Sequence, residues 1–273
     1  MGSKPKKKPA ADESGKGPSS VVLTGDVELV REYAQLCTSK GYRVLCHANA
    51  GDLSSSFAKG SPVTVSERIP RTASIGLELT NLDGAAKREN LRRLDEALAV
   101  DRLIVSSSLT VSATEQSRWI SHPYRLIGVG ALPTFSARRS VEVAPTVASP
   151  VESMEVARRF FLSLGMELEI VQDRVGMVFA RILCQAVNEA AFTIQDGGTS
   201  PGDLDAAAAL GAGFPRGPLE WAGEIGFPQI VAVLQAMQSD MQEERYRVCP
   251  LLKQLALGGR WWKQPSPVPE AAS

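Results

Sequence analysis

Apolar positions along residues 175–196 recur with the period of an α-helix. Val175, Val178, Phe179, Ile182, Leu183, Ala186, Val187, Ala190, Ala191 and Ile194 share one face. Met177, Cys184 and Phe192 carry apolar character onto the opposite side, which predicts a helix enclosed by other helices or by a second subunit. Arg181, Asn188 and Glu189 interrupt the run, and a charge at the centre of a bilayer costs roughly 2.5–3.5 kcal/mol, so a membrane span is excluded. Gly197 and Gly198 then stop the helix as a left-handed cap.

Upstream, the pattern alternates between strand and helix. Residues 21–24 form a short β-branched run. Residues 27–40 place Leu29, Val30, Tyr33, Ala34 and Cys37 at helical spacing before Gly41, and residues 43–47 make a second strand. This is the opening β-α-β of a doubly wound sheet, in which ligands bind beyond the carboxyl ends of the strands. Residues 63–65 give one weak strand. Strand 73–79 leads into a charged helix over 85–99, followed by strand 103–105, a polar turn at 106–108 and a short helical segment reaching Ile120. Residues 126–129 and 140–143 are two more strands. Ser149 to Glu152 has the S-x-x-E form of a capping box with Pro150 at the first helical position; its helix ends at Gly165, before a last strand at 167–171. Beyond Asp173 helical periodicity takes over through Leu257. The expected fold class is therefore α/β: a shortened Rossmann-like doubly wound sheet over 20–172 and an all-helical C-terminal domain over 173–262, with tails at 1–19 and 263–273.

Composition changes this picture little. The chain has 273 residues, 44% of them hydrophobic, enough for ordinary cores, and its 30 basic residues balance 30 acidic ones. That balance leaves no global field to draw in nucleic acid or an acidic membrane. Locally, Lys4, Lys6, Lys7, Lys8 and Lys16 lie among Pro, Gly, Ser and Ala, a composition expected to stay solvated and disordered; nuclear localisation or nucleic-acid binding is the competing reading of KPKKK. Gly2 invites a myristoylation reading, but Lys6 stands where that motif requires Ser or Thr. The tail lacks the apolar core of a signal peptide, so a cytoplasmic protein is expected. Cys37, Cys46, Cys184 and Cys249 have no metal-ligand spacing and are expected as small core residues, with no metal site.

Three stretches carry a family resemblance. LGAGFPRGPLEWAGEIGF at 210–227 resembles LG-x-x-x-P-x-GPLE-x-x-x-x-x-G, the helical signature of the 3-hydroxyacyl-CoA dehydrogenases. DRVGMVFARILCQAVNEA at 173–190 is similar to that family's D-x-PGF-x-x-NR followed by NEA, and LIGVGALPTFSARRSVEV at 126–143 is similar to V-IG-x-HFFNP followed by a strand ending in VEV. The resemblance implies a dimeric enzyme, paired through the helical domain, that oxidises 3-hydroxyacyl-CoA thioesters with NAD in fatty-acid metabolism. It also implies a mechanism in which a histidine takes the 3-hydroxyl proton as hydride leaves, oriented by a glutamate twelve residues later.

Carried onto this chain, those roles meet substitutions. The glutamate is Glu142, but the histidine position is Gly130. Pro133 replaces the asparagine after the histidine, and Ala180 replaces the asparagine before Arg181. Ser107 matches a substrate-contacting serine of N-T-S-S-L, while Val105 replaces that motif's asparagine. Glu142 and Ser107 are thus the candidate catalytic remnants. Of the dinucleotide-binding G-x-G-x-x-G only Gly25 remains, in Gly25-Asp26-Val27-Glu28-Leu29-Val30. Asp26 and Glu28 bring negative charge to the helix N-terminus that should attract an anion, and Asp26 is expected to cap that helix itself. The ribose-binding acidic position aligns with Ala48, leaving Asp52 as a distant substitute. Gly25 and Glu78 are the candidate cofactor contacts, with NAD implied by the resemblance alone.

Two principal readings follow. The first is a family member without efficient dehydrogenase activity, acting as a dimeric acyl-CoA-binding or partner subunit, as a homodimer or paired with a relative. The alternative is an active oxidoreductase converting 3-hydroxyacyl-CoA to 3-oxoacyl-CoA with NAD. In it Glu142 acts through a water in the gap left by the missing imidazole, unless an ion pair with Arg138 or Arg139 holds it.

Overall fold

A computed structural model of the chain describes residues 19–47, 57, 62–137 and 139–258. The expectations for the basic tail, for Ala48 and Asp52, for Arg138 and for the last residues lie outside them.

Strands β1 (Ser20–Gly25), β2 (Arg43–His47), β3 (Val63–Ser66), β4 (Ile75–Leu79), β5 (Leu103–Ser107), β6 (Leu126–Val129), β7 (Ser140–Pro145) and β8 (Glu167–Ile170) form one sheet in the order β3-β2-β1-β4-β5-β6-β7-β8. All neighbouring pairs are parallel except β6 and β7. The chain order reverses between β1 and β4, the switch point at which doubly wound sheets open a crevice. The central strands are near-continuous apolar runs because helices cover both faces. In β1, Val21 and Leu23 enter the core shared with α1 (Val27–Ser39) and α4 (Val151–Ser163), whereas Val22 enters the core under α2 (Gly84–Ala97). Helix α3 (Ala113–Ser117) follows β5.

The remaining helices are α5 (Phe179–Gln195), α6 (Pro201–Gly211), α7 (Pro218–Ile225), α8 (Phe227–Met241) and α9 (Pro250–Gly258). Helix α5 packs on α7, α8 and α9 around Leu183, Val187, Ile230, Leu234 and Leu252. Leu109, Leu132 and Ala144 from the sheet side join this cluster, so the two parts share packed apolar surface. None of the described helices is long and apolar enough to cross a membrane. All four cysteines are free and buried.

Two local expectations are corrected. Helix α5 begins at Phe179, not Val175: Gly176 at φ 78° and Met177 at φ 46° turn the chain instead. The periodicity ran on through this turn because Val175 and Met177 are buried in the same core as the helix. The capping box at Ser149 does not form. The N-cap residue of α4 is Pro150, and the Ser149 hydroxyl donates to the Leu126 carbonyl (2.7 Å) and accepts from the Thr146 amide (2.9 Å).

Candidate functional site

The sequence-derived positions converge on the carboxyl ends of β1, β4, β5 and β6. Gly25 ends β1 at φ 133°, and a Cβ there would lie 2.4 Å from the Leu79 carbonyl carbon and 2.7 Å from the Thr80 nitrogen. Glycine is required by this close approach of β1 to β4, whether or not a ligand ever binds.

Glu78, at 0% exposure, forms a salt bridge of 2.5 Å with Lys87 of α2. The same oxygen accepts from the Ser106 hydroxyl at 2.8 Å, and the other accepts from the Thr80 amide (2.9 Å). Lys87 also donates to the Thr80 carbonyl at 2.9 Å. Both buried charges are thereby paired and hydrogen-bonded, the condition under which burial is tolerated. Glu78 is bound within the sheet and its flanking helix.

Next to this pair lies a second network that joins the two parts of the chain. Asp26 is half-buried just before α1, and its Oδ2 accepts from the Asn81 amide (2.9 Å) and from Nε2 of Gln229 (2.7 Å) in the first turn of α8. Asn81 Nδ2 donates to Gln229 Oε1 and to the Ala131 carbonyl, each at 2.9 Å, while Ser107 donates from Oγ to Asn81 Oδ1 at 2.6 Å. Both amides have a partner on the oxygen and on the nitrogen, which fixes their orientation. Asp26 does not cap α1 as expected, since its side chain makes no capping bond there. Burial raises its pKa above the ordinary 3.8, opposed by the hydrogen bonds from Asn81 and Gln229. Ser107, at 0% exposure, is a member of this network.

Beyond β6, a Cβ on Gly130 would sit 3.3 Å from Met177 Sδ and 3.4 Å from Glu142 Oε2. Met177 therefore crowds the space that a side chain at position 130 would enter. Glu142 accepts from the backbone amides of Phe179 (2.8 Å) and Val178 (3.2 Å), placing its charge at the positive end of α5. The Glu142 oxygens thus face the helix amides rather than the expected open gap, and the expected ion pair with Arg138 lies outside the described residues. Ala180 is buried. Arg181 donates to the Tyr246 hydroxyl and stacks over that ring at 5.3 Å.

The loop after Gly130 is held from α1. Glu32 accepts from the amides of Thr134 (2.9 Å) and Ser136 (2.8 Å), and Phe135 stacks on Tyr33 with centroids 3.9 Å apart. Neither histidine lies beside Gly130. His47 ends β2, four strand spacings from β6 and thus about 19 Å away across the sheet. Its Nδ1 lies 3.2 Å from the Ser66 carbonyl, and burial lowers its pKa. His122 precedes β6, at the opposite end of that strand from Gly130, with Nδ1 3.2 Å from Asp95.

These residues do not fit NAD. A carboxylate stands where a pyrophosphate would pass, and the Asn81–Gln229 bridge crosses the crevice. Sequence reasoning identified the lost positions but missed Asn81, Gln229, Met177 and Glu32. The only available signal was polar Asn81 two residues after strand 75–79. Among the described residues no cluster of three or more His, Cys, Asp or Glu side chains could hold a metal.

The helical signature has a geometric reason of its own. Asp205 of α6 accepts from the amides of Leu219 and Glu220, both at 2.9 Å, and so caps α7 from outside. A Cβ on Gly217 would lie 2.1 Å from Asp205 Cγ, which is why glycine precedes Pro218.

Residues 176–264 match the sequence model of the 3-hydroxyacyl-CoA dehydrogenase C-terminal domain. The chain is 29% identical over 166 residues to a 3-hydroxybutyryl-CoA dehydrogenase of Bradyrhizobium diazoefficiens, covering 61% of this chain and 57% of the relative. It is 27% identical over 187 residues to a probable 3-hydroxybutyryl-CoA dehydrogenase of Bacillus subtilis, covering 68% and 65%. The match thus spans less than two thirds of either relative. In fold, it is similar to the crystal structure of (S)-3-hydroxybutyryl-CoA dehydrogenase from Ralstonia eutropha, with a TM-score of 0.72 at 21% identity over 89% of this chain and 95% of that one. Residues 176–264 thus carry the helical signature of the 3-hydroxyacyl-CoA dehydrogenase C-terminal domain, and the chain is similar to dehydrogenases of that family.

Proposed function

We propose that this chain is a non-catalytic member of the family that acts as a dimeric acyl-CoA-binding or partner subunit. One observation carries the first half of the reading. The position of the family's base is Gly130, with Met177 crowding the space beside it, and the glutamate that would orient that base is engaged with the amides that open α5. General-base catalysis is typically worth 10²–10⁴-fold, or about 3–5 kcal/mol of barrier, so loss of the base alone would leave a slow enzyme. Here the dinucleotide crevice is also closed by Asp26 and Gln229, which removes the hydride acceptor.

Exposed apolar surface supports the partner role. Helix α6 has no buried residue, Leu210 at its end is 89% exposed, and Ile182 on α5 is 64% exposed. A helix with no buried face gains little from its own fold, and apolar side chains left in water in this way suit contact with a second subunit.

The test is reduction of acetoacetyl-CoA by NADH with purified full-length protein, followed at 340 nm, alongside sedimentation velocity. No turnover and a dimer are expected. A rate ordinary for the family would overturn the non-catalytic reading, and a clean monomer would overturn the dimer.

A further inference from the structure

We infer that Asp26, Asn81 and Gln229 form a latch that holds the helical part closed over the carboxyl-end crevice and excludes a dinucleotide from it. The inference deepens the non-catalytic reading and rests on it.

The latch joins segments far apart in sequence: Asp26 and Gln229 are 203 residues apart, Asn81 and Gln229 148. Asn81 is 5% exposed and Gln229 4%, so water does not compete for their bonds. The three groups form a closed ring. The carboxylate receives the Asn81 amide and Gln229 Nε2, and Gln229 Oε1 receives Asn81 Nδ2. Asn81 then ties the ring to Ser107 and Ala131, anchoring it on three strand ends. A dinucleotide entering here would have to displace Gln229 from Asp26 and set its phosphates against that carboxylate. Leaving buried polar groups unpaired weakens binding, before any repulsion between anions. The latch therefore acts by occupying the crevice with matched groups and by its charge.

The Asn81 amide reports the state of the latch directly, because its acceptor is Asp26. Gln229→Glu sets a second carboxylate against the first. Hydrogen exchange at Asn81 in full-length protein at pH 7.5 should then rise by tenfold or more, about 1.4 kcal/mol or more of lost protection. Adding Asp26→Asn exchanges carboxylate and amide across the same contact and should return exchange to about the wild-type rate. Gln229→Leu, close in volume and without polar atoms, gives the same readout if Gln229→Glu does not fold, and Gln235→Leu on the exposed side of α8 is the control.

Asn81 exchange unchanged in both Gln229 variants, or equally raised in the Gln235 control, would overturn the latch. So would failure of Asp26→Asn to rescue a folded Gln229→Glu. Exclusion is tested separately by titrating NADH into the wild-type chain. No heat and no change in Asn81 exchange are expected, and slowed exchange or micromolar binding would overturn exclusion. Absence of turnover with NADH bound would leave the non-catalytic reading standing while removing exclusion, so the two can fail independently.

Discussion

The junction of α6 with α7 and the crevice at the strand ends hold the two kinds of motif in which the chain resembles the 3-hydroxyacyl-CoA dehydrogenases, and they match it unequally. At the junction, Gly217, Pro218, Leu219 and Glu220 all remain. The glycine is required because the Asp205 carboxylate sits where a Cβ would go, and the proline takes the first helical position, where no amide hydrogen is needed. In the crevice, the positions whose value is chemical are replaced, at Gly130, Ala180 and Val27. The family residues that persist there each have structural work: Gly25 in the β1–β4 approach, Glu78 in a buried ion pair, Ser107 in a polar network and Glu142 at a helix N-terminus. Each of these residues has a packing or hydrogen-bonding reason of its own in the fold.

Four experiments would break or sharpen that contrast. The largest effect is expected for Lys87→Met, which strands the fully buried Glu78 charge and should cost about 3–5 kcal/mol in urea unfolding. A loss below about 1 kcal/mol would show that Glu78 is not held for structure. Gly217→Ala should follow, at about 2–4 kcal/mol, by forcing Asp205 off the α7 amides. A stable Gly217→Ala protein would leave the helical signature without its geometric reason.

Glu142→Ala is expected to cost about 1–2 kcal/mol through the lost cap on α5, with Glu142→Gln intermediate because it keeps one acceptor oxygen. If Glu142→Gln abolished a measurable reaction while leaving thermal stability unchanged, the residue would belong to catalysis after all. The smallest effect is expected for Asp26→Asn and depends on pH.

Burial raises the pKa of Asp26 in the folded chain above 3.8. Its contribution to stability is therefore fully present below that ordinary value and is lost as pH rises through the raised one. Glu78 faces it and pushes the same way, Lys87 opposes, and Asn81 and Gln229 lower it by hydrogen bonding. Asp26→Asn keeps an acceptor oxygen without the charge. It should gain melting temperature relative to wild type as pH rises from about 4 towards 7. A melting-temperature difference constant across that range would remove burial of the charge as a factor in the latch.

The alternating α/β pattern and the helical periodicity after Asp173 were legible because they record, residue by residue, which face of a local element is buried. The resemblance of the C-terminal part was legible too, through a spacing of Gly, Pro and Glu that reflects local backbone geometry. The site was legible only as losses: Gly130 and Val27 show on their face that an imidazole and a glycine are absent.

The sequence by itself determined the order of strands and helices, the balanced charge, the buried cysteines and the glycine at position 130. Tertiary structure decided what the surviving polar groups do. Asp26 could have capped α1, and instead it meets a residue 203 positions away. Glu142 could have faced a water-filled gap, and instead it meets the turn in which Met177 takes a left-handed conformation. Periodicity encodes burial locally, whereas the partner of a buried polar group depends on which distant segments the fold brings within about 3 Å.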